Sequence, residues 1–288
     1  MTADYVVIVS EVDPVAQAVS SRWGTPPASG DHIGGAPVRR LAQNVLLVRR
    51  AGAHIHDERV DLRLPRTVRD ERPTLVFPSI HRSERNVPCL TVHPLGNPGP
   101  NADVGGLPRT LAPTDPRRMG AALRLLDEGG RAFGFPATYE ATHHGPTVEL
   151  PAFFVEIGYG ESTGPPEDAV RLLAEVIPRL VPDPTDRVAL GVGGGHYVPH
   201  FTDLALHRRW VFGHLLSRHA IEEIDRPTAA RAFDQTPGAE GVVFARAADA
   251  LHPALVGVGP RLRDRDAPAR GPEEARPPTS DDRSTSGT

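Results

Sequence analysis

The sequence has one cysteine and no lysine. The single cysteine, Cys89, excludes an internal disulfide within the 288 residues and every zinc module built on several cysteines. Any bound metal must therefore be held by histidine, aspartate or glutamate, and the 13 histidines supply enough ligands. Because lysine is absent, all 32 basic residues are arginines, and the net charge of −4 argues against a general DNA-binding role.

Long apolar runs are also missing. The longest apolar stretches fall far short of the ~18 residues that a membrane-spanning helix needs. No basic region precedes the apolar stretch near the N-terminus, as a signal peptide would require. We therefore expect a cytoplasmic protein that does not associate with a membrane, and we expect it to act as a monomer.

Arginine is concentrated in one segment. Residues 39–85 contain 11 arginines against six acids, an excess of five positive charges. Such a segment can contact a few phosphate groups without coating a duplex. The alternative interpretation is a set of solvated, arginine-rich loops, because runs of charge usually face solvent.

The hydrophobic pattern predicts an α/β fold with a mixed sheet covered by helices on both faces. After an opening strand and a helix capped by Asp13, short apolar runs predict further strands at residues 44–48, 74–77, 90–93, 137–142, 152–157 and 187–192. Longer segments predict helices at residues 115–131, 165–180 and 203–220.

One catalytic domain is expected to span residues 1–261. Within it, residues 226–261 are predicted to form a small α/β appendage. From residue 262 onward the chain contains almost nothing apolar, so residues 262–288 are predicted to be a disordered polar tail. Deletion of residues 263–288 is therefore expected to leave folding and catalysis intact.

The stretch "YEATHHGP" places two adjacent histidines, His143 and His144, at the end of a predicted strand. Alternate side chains of an extended chain share a face, so Glu140 and His144 are expected to form a pair. His143 points to the other face unless the Gly-Pro turn rotates it into the same pocket. An isolated histidine is usually a packed or solvent-facing residue, but several at strand ends favour a functional site.

A second strand end carries the stretch "GVGGGHY". Its three glycines, Gly193–Gly195, allow close approach of a ligand and present backbone N–H groups to an oxyanion. The run lacks the lysine and the spacing of a P-loop, which argues against a nucleoside triphosphate site. His196 follows directly, and Pro199 argues against a helical zinc-ligand pair of His196 with His200.

Further candidates lie in two other segments. His81 follows a strand in "SIHRSE", and His93 and Asn97 lie in "TVHPLGNPGP". Glu156 lies inside the apolar run "FFVEIG", where a carboxylate is costly unless it is paired or metal-bound, or faces solvent.

These strand ends are expected to meet. Ligands of open α/β sheets bind beyond the carboxyl ends of the strands. The histidines expected to converge at one edge of the sheet are His81, His93, His143, His144 and His196. Two others, His207 and His214, are predicted to lie on a helix and to serve in packing.

The motifs "VVIVSEVDPVAQ", "IHRS", "TVHPLGNPGP", "EATHHGP", "VEIG" and "VGGGHYVPHFT" follow one another across roughly residues 4–220. On these motifs the chain resembles the archaeal and plant type of D-aminoacyl-tRNA deacylase. The resemblance implies a hydrolase that cleaves the ester between a D-amino acid and the 3′ acceptor end of tRNA, with zinc as cofactor. It also implies a fold similar to purine nucleoside phosphorylase and peptidyl-tRNA hydrolase.

The candidate residues then receive predicted roles. The catalytic residues are His144, Glu140 and His196, the substrate-binding residues are Gly193, Gly194, Gly195, Asn97 and Tyr197, and the metal ligands are His81, His93, His143, His196 and Glu156. Zinc with an open position would activate a water and polarise the ester carbonyl. The glycine amides would stabilise the oxyanion, while Glu140 or a histidine moves the proton to the ribose leaving group. Which histidines bind metal and which act as bases stays open.

Two other classes of function remain. A zinc-dependent hydrolase or phosphorylase acting on a small molecule would use the same sheet, and a pocket closed to a polynucleotide would favour it. A non-catalytic RNA-binding protein would need stacking aromatic side chains around the site, but only 5% of the residues are aromatic.

Overall fold

Two β-sheets and a short two-stranded pairing form the framework of the described chain. The structure is a computed structural model and describes residues 3–33, 35–82, 87–160 and 164–271. The strands are β1 (Tyr5–Ser10), β2 (Ala28–Ile33), β3 (Ala36–Ala42), β4 (Val45–Arg50), β5 (Thr74–His81), β6 (Cys89–Pro94), β7 (Gly96–Asn97), β8 (Thr110–Leu111), β9 (Ala137–Tyr139), β10 (Ala152–Gly158), β11 (Arg187–Val192), β12 (Trp210–Leu216), β13 (Ala239–Phe244) and β14 (Arg261–Leu262). The helices are α1 (Pro14–Arg22), α2 (Arg66–Arg69), α3 (Pro116–Gly130), α4 (Glu167–Val176), α5 (Pro199–His207), α6 (Arg218–Glu223) and α7 (Arg226–Asp234).

The larger sheet has eight strands in the order β2-β3-β4-β1-β5-β10-β6-β9. Strands β4, β1, β5 and β10 are parallel, whereas β6 is antiparallel to β10 and parallel to β9. The predicted mixed α/β sheet is therefore confirmed. Because of this topology, β6 and β9 end at the opposite edge of the sheet from β5.

Long helices cover only one face of this sheet. Helices α1, α3 and α4 pack there, and the α3 stripe of Met119, Leu123 and Leu126 is fully buried. The opposite face is covered by residues 54–69, which form 3-10 turns and the single-turn helix α2, and by residues 148–150. Pro65 interrupts the 54–69 segment, so the second layer of long helices that the sequence predicted does not form.

The smaller sheet has four parallel strands in the order β12-β11-β13-β14. Strand β12 corrects the sequence prediction of a helix over residues 203–220, because α5 ends at His207 and Trp210–Leu216 is a buried strand. Short apolar runs of this kind cannot be assigned to a strand or a helix from periodicity alone.

Part of the C-terminal segment belongs to the smaller sheet. Strand β13 lies between β11 and β14, so residues 239–244 of the predicted appendage pair within that sheet. Residues 262–271 belong to the fold, since the buried Arg270 side chain forms ion pairs with Asp183 and Asp186. Arg270 thus ties this segment to the loop before β11, and deleting residues 263–288 would leave Asp183 and Asp186 without this partner. Residues 272–288 of the predicted tail lie outside the described residues.

The two sheets share one apolar core that includes side chains of both. Two backbone hydrogen bonds also join them: Ala141 N–H donates to the His196 carbonyl at 2.8 Å, and Thr142 N–H donates to the Leu215 carbonyl at 2.8 Å. The prediction that the chain after β9 meets the chain after β11 is therefore confirmed. Every helix in the described part of the chain is too short or too polar to cross a lipid bilayer.

Candidate active site

A cluster of five histidines and two glutamates lies on the face of the larger sheet opposite α1, α3 and α4. Its members, which we call the His–Glu cluster, are His81, His93, Glu140, His143, His144, Glu156 and His196. The predicted convergence of the histidines is confirmed. Its predicted location at one sheet edge is wrong, because β6 and β9 run opposite to β5 and their side chains meet those of β5 across the face.

Glu140 is the centre of the cluster and is fully buried. Its Oε1 lies 2.9 Å from His81 Nδ1, and its Oε2 lies 3.0 Å from His196 Nε2 and 3.6 Å from His143 Nε2. Burial alone would raise the pKa of Glu140, but contacts with His196 and His81 lower that pKa well below its usual value. Glu140 is therefore an ionised carboxylate surrounded by imidazoles.

The predicted pair of Glu140 with His144 does not form. Strand β9 ends at Tyr139, so the alternation of an extended chain stops before the two histidines. His144 adopts a left-handed backbone conformation with φ of 44°, which turns its side chain toward His93 rather than Glu140.

Glu156 is the second buried carboxylate. Its Oε2 lies 3.4 Å from His81 Nδ1 and its Oε1 lies 3.7 Å from His93 Nε2, so the solvent-facing alternative is wrong. Burial alone would raise the pKa of Glu156, but His81 and His93 lower it to about 2. Burial alone would lower the pKa of His81, but Glu140 and Glu156 raise it to about 10. This half of the cluster therefore pairs ionised carboxylates with a protonated ring.

The other half contains three imidazoles in mutual contact. The His143 ring centroid lies 4.2 Å from that of His93 and 4.4 Å from that of His144. Each ring donates its Nδ1–H to a backbone carbonyl: His93 to Pro94 at 3.1 Å, His143 to Ala141 at 2.8 Å, and His144 to Gly145 at 2.7 Å. A carbonyl only accepts hydrogen bonds, so a neutral ring in this arrangement presents the lone pair of its Nε2.

The protonation of these three rings differs. Burial and the neighbouring rings lower the pKa of His143 well below its usual value, and burial and the charge of His93 lower that of His144 to about 4. Burial opposes protonation of His93, but Glu156 raises the pKa of that ring. His93 Nε2 is buried and has no hydrogen-bond partner among the described residues. One ring nitrogen from each of the three histidines lies within 4.8 Å of the other two.

Glu58 holds the turn that carries His143 and His144. Its Oε1 accepts the Gly106 N–H at 2.7 Å and its Oε2 accepts the Thr147 N–H at 2.8 Å. Gly106 packs directly against Gly145, where a Cβ would lie 2.2 Å from the Gly106 nitrogen. Sequence reasoning missed Glu58, because nothing in the arginine-rich segment around it marks a carboxylate that binds two distant backbone amides.

His214 supports the same turn from the smaller sheet. It is fully buried in β12, so the predicted packing role is confirmed although the predicted helix is absent. Its Nε2–H donates to the Ala112 carbonyl at 2.9 Å, and its Nδ1 accepts the Thr142 hydroxyl at 3.0 Å. Thr142 Oγ1 in turn accepts the Leu215 N–H at 3.0 Å. Burial lowers the pKa of His214 to about 4, so the ring is neutral and its tautomer is fixed.

The glycine run after β11 contributes fewer amides than predicted. Gly193 and Gly194 adopt φ values of 114° and 88°, a region that favours glycine. The Gly193 N–H donates to the Leu216 carbonyl at 2.8 Å and is therefore not available to an oxyanion. The amides of Gly194 and Gly195 have no such partner within the described ranges.

The two remaining predicted substrate contacts have different surroundings. The Tyr197 hydroxyl lies 2.8 Å from His81 Nε2 and so touches the cluster. Asn97 is buried, and its Nδ2 donates to the carbonyls of Gly105 and Leu107. Its amide nitrogen therefore holds the loop after β7, and the substrate contact of Asn97 stays a prediction.

The fold and the cluster define a mixed α/β protein with a candidate centre for hydrolysis by metal or acid–base chemistry. The family model described as D-aminoacyl-tRNA deacylase matches residues 69–252, and the chain belongs to that family. The resemblance drawn from the sequence motifs is thus confirmed.

Individual relatives agree with this family. The chain is 38% identical over 173 residues to a D-aminoacyl-tRNA deacylase of Thermoplasma acidophilum, covering 60% of this chain and 67% of the relative. It is 37% identical over 229 residues to one of Methanosphaerula palustris, covering 77% of this chain and 49% of the relative. The matches thus span about half to two thirds of the curated relatives' own length.

Solved structures support the fold. The crystal structure of AF0625, a conserved protein of unknown function, matches with a TM-score of 0.76 and 27% identity, covering 86% of this chain and 89% of that one. A futalosine hydrolase of Helicobacter pylori matches with a TM-score of only 0.40 and 10% identity, which is too low to carry an argument. The predicted likeness to purine nucleoside phosphorylase and peptidyl-tRNA hydrolase therefore stays a prediction.

Proposed function

We propose that this protein hydrolyses the ester that joins a D-amino acid to the 3′ end of tRNA. The proposal rests on one observation: a buried, ionised Glu140 holds His196 at the open side of the cluster, in a chain that belongs to this family. The His196 side chain is 48% exposed, whereas Glu140 is fully buried. A polynucleotide end can thus approach His196, which disfavours the alternative of a small-molecule hydrolase or phosphorylase with a closed pocket.

We assign proton transfer to His196 rather than Glu140. The Glu140 carboxylate lies 3.0 Å from His196 Nε2 and orients that ring. His196 takes a proton from the attacking water and returns it to the ribose oxygen that leaves. The amides of Gly194 and Gly195 donate to the oxyanion that forms at the ester carbonyl.

The cluster also fits the zinc ion that the sequence resemblance implies. His93, His143 and His144 each have Nδ1 held by a backbone carbonyl, as metal-binding histidines usually do. The buried Nε2 of His93 has no hydrogen-bond partner among the described residues, and its contact with Glu156 is 3.7 Å long. These three residues would hold the ion, and Glu156 beside His93 would balance its charge. When bound, zinc would polarise the ester carbonyl and lower the pKa of a coordinated water.

Selectivity for the D-enantiomer requires rejection of the L-enantiomer. Inverting Cα exchanges the hydrogen and side-chain directions while the ester stays fixed, so a wall beside the reacting water can exclude one hand by steric clash. If the side chain of the accepted hand projects outward, its identity need not be read. D-Tyrosyl- and D-aspartyl-tRNA are therefore both expected to be substrates.

The test combines metal analysis with deacylation assays. The purified protein should contain zinc, hydrolyse D-tyrosyl-tRNA and D-aspartyl-tRNA, and spare L-tyrosyl-tRNA; chelation should abolish activity, and added zinc should restore it. Equal hydrolysis of both tyrosyl enantiomers would reject the proposed selectivity. Full activity after complete metal removal would leave acid–base catalysis by His196 and reject the role of zinc.

A further inference from the structure

Four exposed arginines stand on the chain segments that build the candidate site. Arg59, Arg82, Arg218 and Arg246 come from four separate parts of the sequence, and we call them the arginine rim. Arg82 directly follows His81 at the end of β5. The other three are linked to site loops by hydrogen bonds or direct contact.

Arg59 belongs to the turn of His143 and His144, because its N–H donates to the Thr147 carbonyl at 2.9 Å. Arg59 has a positive φ of 55°, and the 3-10 turn that follows packs Val60 into the core. The backbone of Arg59 is thus fixed at the site while its side chain extends into solvent.

Arg218 and Arg246 flank the glycine run. The Arg218 N–H donates to the Gly194 carbonyl at 2.9 Å. Arg246 forms an ion pair with Asp249 at 3.0 Å, and a Cβ on Gly193 would lie 2.7 Å from Asp249 Oδ2. The Arg246 guanidinium and the Arg218 backbone therefore lie beside the segment that leads to His196, and the Arg218 side chain donates to His219 Nε2 at 3.3 Å.

Several other arginines of the 39–85 segment are used inside the fold. Arg50 and Arg63 both pair with Asp57, and Arg39 and Arg40 donate to backbone carbonyls. Only part of the arginine excess of the 39–85 segment is therefore close to the site. Arg59 and Arg82 are the members of the rim that come from this segment. Exposed acids also lie on these segments: Glu149 after the turn of His143 and His144, and Glu222 and Glu223 on α6.

We propose that the arginine rim binds the phosphates of the single-stranded 3′ end of tRNA while the terminal ester lies on the His–Glu cluster. This inference rests on the proposed function for the identity of the nucleic acid. A guanidinium matches a phosphate with two parallel hydrogen bonds. Phosphate contacts fix the register of the strand without reading its bases, as a deacylase acting on tRNAs of different sequence requires.

The first experiment measures binding of uncharged tRNA by fluorescence anisotropy over a series of salt concentrations. Four phosphate contacts to a single strand predict a slope of log Kd against log salt of roughly 3, and each Arg→Gln replacement should reduce it by about 0.7. The fourfold variant should bind at least ~100-fold more weakly at ~50 mM salt. Arg131→Gln is the matched control, because Arg131 is 62% exposed and lies before β9, away from the site. An unchanged slope in the fourfold variant would overturn the inference.

The second experiment compares two esters that differ only in their phosphates. The fourfold variant should show a KM for D-tyrosyl-tRNA raised far more than its kcat is lowered, and should lose much less activity toward D-tyrosyl-adenosine, which has no phosphodiester. Equal loss toward both esters would overturn the inference by assigning the arginines to the centre itself. If the wild-type protein hydrolyses neither ester, the proposed function fails. The anisotropy experiment still shows whether the arginine rim binds tRNA. Equal melting temperatures verify that the variants are folded.

Discussion

The two halves of the His–Glu cluster contain the same kind of residue with opposite proton affinities. His81 and His144 belong to one site, yet contacts with Glu140 and Glu156 raise the pKa of His81 to about 10, while burial and the charge of His93 lower that of His144 to about 4. Burial lowers the pKa of both rings. The neighbouring groups therefore decide whether the pKa of each ring is raised or lowered: carboxylates lie near His81, and other imidazoles lie near His144.

The two halves are also held in place differently. His81 and Glu156 extend from adjacent strands, β5 and β10, whose register fixes their separation. His143 and His144 lie on an irregular turn whose conformation depends on Glu58, a residue about 85 positions earlier in the chain. The strand half keeps a fixed charge pattern. In the proposed function, the two rings on the turn, whose pKa values are lowered, would hold the cation together with His93 of β6.

The largest expected effect comes from removing the charge at the centre of the cluster. Glu140→Gln keeps the shape of the side chain but deprives His196 and His81 of their carboxylate. We expect the single-turnover rate constant for D-tyrosyl-tRNA to fall by about 1,000-fold. The pKa of His81, followed by NMR titration, should decrease because one of its two carboxylates is lost.

Glu149→Gln provides the matched control, since Glu149 is exposed and lies only nine residues further along the chain. That variant should retain full activity. A Glu140→Gln enzyme within tenfold of the wild-type rate would show that the carboxylate is a structural group only.

The next effect separates the two halves directly. His196→Ala and His144→Ala should each lower the deacylation rate by at least about 100-fold while tRNA binding is largely retained. Only His144→Ala should also lower the zinc content, because His144 is one of the three rings whose Nδ1 is held by a carbonyl. His207→Ala, on the exposed side of α5, should change neither quantity. Loss of zinc in the His196 variant would place the metal in the other half.

Sequence reasoning located the cluster better than it located the elements around it. Each histidine follows or ends an apolar run, and such runs are recognised from composition alone. The edge prediction failed because the direction of β6 and β9 depends on long-range pairing, which no local pattern encodes. The helix predicted over β12 failed for a related reason, since Trp210–Leu216 is apolar apart from His214 and carries no period.

The positioning groups could not be predicted at all. Glu58 and His214 act through backbone amides and a hydroxyl that are distant in sequence. Arg270 was assigned to a polar tail because its composition is that of a disordered segment, yet its ion pairs with Asp183 and Asp186 form only once the smaller sheet is assembled. Composition reports the apolar content of a segment but not the partners that the fold supplies.

A smaller effect concerns the pH dependence of stability in metal-free protein. His81 has a pKa of about 10 in the folded state, so its contribution is complete below its usual pKa of 6.5 and is lost as the pH rises toward 10. His144 has a pKa of about 4, so the unfolded chain binds more protons between pH 4 and 6.5 and stability rises with pH there. The free energy of unfolding should therefore be greatest near pH 6.5.

Urea unfolding at several pH values measures this profile. Between pH 4 and 6.5, His144→Gln should reduce the rise in the free energy of unfolding by about 2 kcal/mol. This value is smaller than the full pKa shift implies, because the ring is partly exposed. His214, with its pKa of about 4, should maintain the rest of the acid slope. An acid side unaltered by His144→Gln would mean that His144 titrates normally, and the contrast between the two halves would then be lost.

The smallest effect tests whether the turn half depends on its support from the smaller sheet. Thr142→Val keeps the shape of the side chain but removes the hydroxyl that donates to His214 Nδ1 and accepts the Leu215 N–H. Two buried polar groups then lose their partner, and the backbone next to His143 can shift. We expect the deacylation rate to fall by about tenfold and the zinc affinity to decrease, whereas the charged contacts of His81 with Glu140 and Glu156 should persist.

Thr142→Ser keeps the hydroxyl and should restore both rate and zinc affinity. The pKa of His81, measured by NMR in both variants, distinguishes a local from a general disturbance. If Thr142→Val lowers that pKa along with the rate, the two halves do not behave as separate units and the network from Thr142 to Ala112 supports the whole cluster.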